Sequence, residues 1–467
     1  MKRIQFIRES ARGLLVAVAL LFLWGTGAHA AIDIDGVTGD TFNLVAEPGY
    51  IITSDGDSFL MWGYSNGAGN MQYPGPTMIV NQGDPITVTL RNNLPPAAGR
   101  ASIVFPGQQV TASGGAQGLL TREAAQSDDP GTPEDESLVT YTFTPSQPGT
   151  YLYRSGTRPD LQVEMGLVGA LIVRPTGFDA VNNRIAYNHA DSAYHHEFLY
   201  LITEMDPRIH RQVEYGEWNL IDTTTYFATN WFINGRNFPD LMSEPNVPWL
   251  PTQPYNCQPR MHPGEKVLLR MIGAGVDEHA MHLHGNDFET IAVDGRLLTS
   301  GDPTVQGPDL AWMATTIVTA PGGTADVIWK WDAEKLGWDI YGHQAGVVYP
   351  RSEINPVWPG NICDNYVPGD PNQVYDPYTQ EYCPDHGVPF PVILPTRDSL
   401  TFGQFYSGSP FLGGTGNLAP GDPGLNANAG FFYMWHSHTE KELTSNDIWP
   451  GGLVSFMIVE HPKVPLD

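Results

Sequence analysis

Met434-Trp435-His436-Ser437-His438-Thr439-Glu440-Lys441-Glu442, read beside the upstream segment His279-Ala280-Met281-His282-Leu283-His284-Gly285, decides how this chain is understood. Each segment places histidines at i and i+2 among apolar or aromatic residues. Side chains alternate across a strand, so each such pair of imidazoles points to one face of an extended chain. Two such strands side by side gather His282, His284, His436 and His438 into one cluster. Imidazole is the commonest protein ligand for copper, zinc and iron, which makes a metal site the first reading and a buried polar cluster the second.

Outward from these segments, the chain reads as many short strands separated by turns, without strong helical periodicity. Tyr73-Pro74-Gly75-Pro76-Thr77-Met78-Ile79-Val80 leads through Gly83-Asp84 into Ile86 to Leu90. A short apolar strand is expected at Ile103 to Phe105, and further strands at Thr140 to Thr144, Gly149 to Tyr153 and Gly166 to Val173. A polar stretch from Thr176 to Tyr194 reads as a linker. Strands resume at Glu197 to Ile202, Trp231 to Ile233, Val267 to Arg270, the first histidine segment, Phe288 to Val293 and Ala325 to Trp329. From about residue 333 to 430 the chain is rich in Pro, Gly, Asp, Asn and Tyr, and so long an irregular stretch is either a functional lid or a packed insertion. The second histidine segment and Leu453 to Val459 then close a β-sandwich.

Composition agrees with an all-β globular protein: among 467 residues there are 50 Gly and 40 Pro, and 16% are charged. Met1-Lys2-Arg3, the apolar run Leu14 to Trp24 and Ala28-His29-Ala30 read as a signal peptide over residues 1–30, so the mature protein is expected to be exported, periplasmic or extracellular, with no membrane span. Residues 1–30 carry a net +3, so their removal takes the formal charge from −27 to −30. Such a surface repels nucleic acid and anionic membranes and favours cations; acidity kept for solubility is the plainer reading. The cysteines are Cys257, Cys363 and Cys383, and a disulfide between the last two across a local loop would leave Cys257 odd. No Gly-rich phosphate loop, Gly-x-Ser-x-Gly elbow or zinc-type cysteine pairing occurs.

Tyr73-Pro74-Gly75-Pro76-Thr77 with Gly83-Asp84, Gly149-Thr150-Tyr151-Leu152-Tyr153 with Gly166 to Val173, Ile233-Asn234-Gly235 and the two histidine segments together resemble the multicopper oxidases, over nearly the whole mature chain. The resemblance implies tandem cupredoxin-like Greek-key sandwiches: residues 31–178, a linker at 179–195, and residues 196–467 with the long insertion. It implies copper, a small-molecule or metal-ion electron donor, and a homotrimer like that of the two-domain branch. Much of the family's ligand set is altered, however. Its first-domain His-Trp-His-Gly falls on Val104-Phe105-Pro106-Gly107, and its His-Ser-His on Arg154-Ser155-Gly156. Arg154 would put a fixed cation where copper ions belong. A complete trinuclear cluster is therefore not expected, nor the four-electron reduction of oxygen.

The blue-copper His-Cys-His reads His436-Ser437-His438, with Glu442 at the second histidine and Asp447 at the axial methionine. His279, Ser437 and Glu442, with Asp447 near, have the opposite parity to the four clustered imidazoles. They would suit a harder or borderline ion such as manganese, iron or zinc, or Glu442 simply ion-pairs with His279. The four-imidazole cluster could hold one copper or zinc ion, with Glu440 as a neighbouring base, or remain metal-free with its histidines bonded to one another, Arg154 and water. His189, His195, His196 and His262 read as solvated surface residues, and His343 as a loop residue within reach of the site. Two functions stay open: an exported copper-dependent oxidoreductase with an incomplete metal complement, and a non-catalytic cupredoxin scaffold.

Overall fold

The computed structural model describes residues 34–67, 69–127, 133–262, 264–302, 307–331, 367–370, 431–459 and 466. The expected signal peptide, Cys363, Cys383, His343 and nearly all of the expected insertion lie outside them.

Strands before residue 175 build two mixed sheets. Val37–Thr38, Gly75–Asn81, Val168–Arg174 and Gly149–Arg154 form one, and Ser58–Asn66, Thr41–Ile52, Ile86–Asn92, Leu138–Phe143 and Thr111–Gly114 the other. Alternation drives the second sheet: in Ile86–Asn92 the residues Ile86, Val88 and Leu90 are buried, with more exposed residues between. Val168–Arg174, by contrast, is buried along its whole length, as befits a strand paired on both sides and covered on both faces.

Strands from residue 196 onward build two larger sheets. A seven-stranded sheet runs Asn230–Ile233, His196–Met205, Lys266–Gly273, Thr324–Lys330, Phe288–Val293 and Arg296–Leu297, with Trp312–Ala314 also paired to Phe288–Val293. Facing it, a five-stranded sheet runs Arg260–Met261, Val454–Val459, Phe431–Ser437, His279–Leu283 and Thr316–Thr319. Trp329, Trp331, Tyr433, Trp435, Met281 and Leu283 belong to the core of this half, which draws on both sheets. The all-β expectation holds, and the second histidine segment lies in the middle of the five-stranded sheet.

Local expectations fare unevenly. Ile103 to Phe105 is not a strand: Val104 makes only an isolated bridge with Arg154, although that bridge does set the two altered ligand segments side by side. Pro207–Glu214 is an α-helix capped by the Asp206 side chain, with proline in its first turn. That start signal was present in the sequence. Within the stretch from Thr176 to Tyr194, Ala186, Tyr187 and Tyr194 are buried in a cluster with Leu268, Ile291 and Ile328.

A buried ionic hub joins the two halves. Glu197 accepts hydrogen bonds from Arg174 and, at 2.8 Å, from Arg270. Asp326 accepts from Thr150 and Tyr187 and lies 3.7 Å from Arg270. Burial opposes the charge on Glu197, but the two guanidinium groups overcome it and hold its pKa down at about 2. Two cations and two anions thus balance in a dry site, which limits the desolvation cost of burying them.

Candidate metal centre

His279–Leu283 and Phe431–Ser437 pair antiparallel, with His282 opposite His436 and Met281 opposite Ser437. The pairing continues beyond the strands: His284 N–H donates to Met434 O at 3.0 Å, and His438 N–H to Ala280 O at 2.7 Å. Parity then sorts the side chains. Met281, Leu283, Trp435, Ser437 and His279 are fully buried on the core side. His282, His284, His436 and His438 share the opposite face, with ring centroids 4.8 to 5.8 Å apart in every pair with a ring contact. The predicted four-imidazole cluster is therefore assembled.

Its hydrogen bonds fix tautomers. His436 Nδ1–H donates to Ser437 O at 2.6 Å, so the neutral ring carries its lone pair on Nε2. His284 Nε2 lies 2.7 Å from that atom and is the donor to it. His282 engages Thr316 Oγ1 through Nδ1 at 2.9 Å, leaving Nε2 for other partners. Burial, then the neighbouring imidazoles, depress His284 to a pKa of about 4. Burial first also lowers the pKa of His282 and His436; at His436 the bond to Ser437 O works against the shift. Neutral imidazole is the form that binds a metal. Among the described residues, nevertheless, no group of three or more His, Cys, Asp or Glu side chains stands as a finished metal cage. The direct bond between His284 and His436 must open before an ion can sit between them.

The core side of the same strands carries a different arrangement. His279 Nε2 donates to Glu204 Oε2 at 2.9 Å, and Nδ1 lies 3.1 Å from Glu442 Oε2. Ser437 Oγ donates to the same Glu442 oxygen, and Thr439 N–H donates to Ser437 Oγ at 3.1 Å. The other oxygen of Glu204 accepts the backbone N–H groups of Val276 and Asp277. Burial disfavours charge on His279, but Glu204 and Glu442 outweigh it and lift its pKa to about 9. His279, Ser437 and Glu442 thus meet, in the ion-pair form. Glu204 was missed because it comes from a distant strand of the facing sheet, with no spacing signal to mark it.

Other expectations change. Asp447 is exposed in a turn with φ +60° and makes no printed contact with His279, so it is not part of the set. Glu440 is exposed at the start of the short helical turn Glu440–Leu443, and its charge favours the protonated form of His436. Arg154 donates to Ser155 O rather than to any of the four histidines. Gly156 is buried against Val104, and a Cβ there would lie 2.6 Å from Val104 Cγ1, so Gly156 has no room for an imidazole without rearrangement. His196 is buried rather than solvated, and with His262 it faces Glu265.

Paired β-sheets whose adjacent strands present four imidazoles on one face define an all-β protein with a histidine cluster. Residues 64–177 match the family model Cu-oxidase_3, multicopper oxidase. Both histidine segments lie outside the matched residues. No curated protein matches by sequence. Among solved structures, Multicopper Oxidase mgLAC is similar at 17% identity and TM-score 0.49, over 91% of this chain and 87% of that one. The Blue Copper Oxidase from Nitrosomonas europaea is similar at 16% and 0.48, over 89% and 84%. The copper nitrite reductase from the same organism follows at 17% and 0.42, over 63% and 85%. Likeness at this level carries no functional weight.

Proposed function

We propose that this chain is an exported, copper-binding, multicopper-oxidase-like oxidoreductase with an incomplete metal complement, centred on His282, His284, His436 and His438. The observation that carries the proposal is the tautomer of His436: its Nδ1–H is tied to Ser437 O, so the Nε2 lone pair is presented to the other imidazoles. Neutral nitrogen donors suit copper or zinc. Bound copper would supply one-electron transfer or polarisation of water; the histidines would hold it, and Glu440 would accept a proton at the rim. Val104, Pro106, Arg154 and Gly156 offer no imidazole, which is why the reading stops short of a trinuclear centre. On this reading the electron donor is a small molecule or metal ion and the assembly a homotrimer, the domains being residues 31–178 and 196–467.

A second reading, a non-catalytic scaffold, is favoured by one observation: His284 and His436 bond directly to each other, a metal-free arrangement complete in itself. Elemental analysis with optical and EPR spectra of the purified mature protein separates the two. One copper per chain, lost in His284→Ala, is expected. No metal after reconstitution supports the scaffold, and an intense blue band with several coppers overturns both.

A further inference from the structure

We propose that the helix Pro207–Glu214 is a clasp, carried by the second half of the chain, that is held shut on the first half by one proton shared between His210 and Glu164 and opens when that proton is lost. The helix follows the strand His196–Met205, yet Ile209 and Val213 are buried in the core of the first half, with Trp62, Leu161 and Met165. Trp218, just beyond the helix, stacks on Trp62 with ring centroids 6.3 Å apart. His210, beside Ile209, is only 1% exposed.

Two contacts decide how many protons the site holds. His210 Nδ1 lies 2.7 Å from Leu60 O, and a carbonyl can only accept, so Nδ1 carries a hydrogen and donates it. Nε2 is buried without a hydrogen-bond partner and lies 3.4 Å from Glu164 Oε1. Glu164 is buried too; Oε1 accepts Asp206 N–H at 2.7 Å, and Oε2 accepts the Tyr226 hydroxyl at 2.8 Å. With one proton between them, either an imidazolium faces a carboxylate or a nitrogen lone pair faces a carboxylic acid, and both arrangements attract. With none, the lone pair is pressed against a buried carboxylate; with two, a buried imidazolium has lost its counter-charge. Burial raises the pKa of Glu164 against the pull of His210, which favours keeping the proton as pH rises. Of the other titratable groups around the pair, Asp206 is bonded to Arg208, Arg211 lies over the Phe59 ring and Glu214 accepts from the Tyr50 hydroxyl. Burial pushes the pKa of Tyr226 and Tyr73 up from 10, so both phenols stay neutral, and Glu204 is paired with His279, which keeps its proton up to about 9.

Opening the helix returns Glu164 and His210 to the ordinary values of 4.5 and 6.5. Above 6.5 the open form holds neither proton while the closed form holds one, so stability of the closed form is lost as pH rises, and the opening constant grows about tenfold per pH unit. The test is hydrogen exchange of the full chain, read by mass spectrometry on the peptide covering 207–216 at about pH 7 and about pH 8 and corrected for the intrinsic pH dependence of exchange. The wild-type opening constant of this peptide should rise about tenfold, while that of the strand Ile86–Asn92 should not. His210→Gln and Glu164→Gln should each flatten the slope. A flat wild-type slope, a slope kept in either variant, or a helix that opens in step with Ile86–Asn92 overturns the proposal.

Discussion

On one face of the His279–Leu283 and Phe431–Ser437 strand pair, four imidazoles stand together with three of them held toward neutrality; on the other, a single imidazole stands charged between two carboxylates. The same residue type on the same two strands is thus pushed in opposite directions. Burial lowers the pKa of His282, His284 and His436, and at His279 two carboxylates reverse the same effect. Parity decides which fate a histidine meets.

The comparison breaks most visibly through Glu204. Glu204→Ala removes one partner of a buried charge together with the acceptor for Val276 and Asp277 N–H, and should destabilise the protein by about 3–5 kcal/mol in urea unfolding. A loss below about 1 kcal/mol would mean that the core-side charge is not held as described. His284→Ala/His438→Ala should do the reverse, costing little stability, about 1 kcal/mol, while abolishing copper binding. If it unfolded the protein as severely as Glu204→Ala, the outer cluster would be structural.

Acid and base should separate the faces too. His279 is raised from an ordinary 6.5 to about 9, so its contribution is complete below pH 6.5 and is lost as pH rises through 9. His284 is lowered to about 4, so between pH 6.5 and 4 the unfolded chain takes up a proton that the folded ring refuses, and stability falls as pH falls. Unfolding midpoints measured against pH should therefore lose their alkaline slope in His279→Gln and part of their acid slope in His284→Ala. Exchange of the two effects would sink the assignment of charge to faces. Ser437→Ala, which deletes the hydroxyl bond to Glu442 and the one accepted from Thr439 N–H, is expected to have a comparably small effect, about 1 kcal/mol.

The two faces were legible within each segment because period 2 is a local property: His282 had to share a side with His284 and His436 with His438, while His279 and Ser437 each had to point the other way. Their register was not legible, nor was Glu204, since both depend on which strands pair and pack. The same limit explains His196, whose burial comes from the adjoining strand and turn, and Tyr187, which looks like a linker residue until Asp326 is seen beneath it. Val104 and Arg154, aligned by family motif, are joined by an isolated bridge, yet the direction of the Arg154 guanidinium could not be read.

The ionic hub of Arg174, Glu197, Arg270 and Asp326 bears on how the chain comes apart. Its members come from strands on both sides of the connecting segment, and Tyr187 and Tyr194 of that segment bond into it. Cutting the backbone between residues 176 and 184 would sever the covalent link but leave these contacts in place. A nicked chain should sediment as one particle, and its two pieces should melt in a single transition.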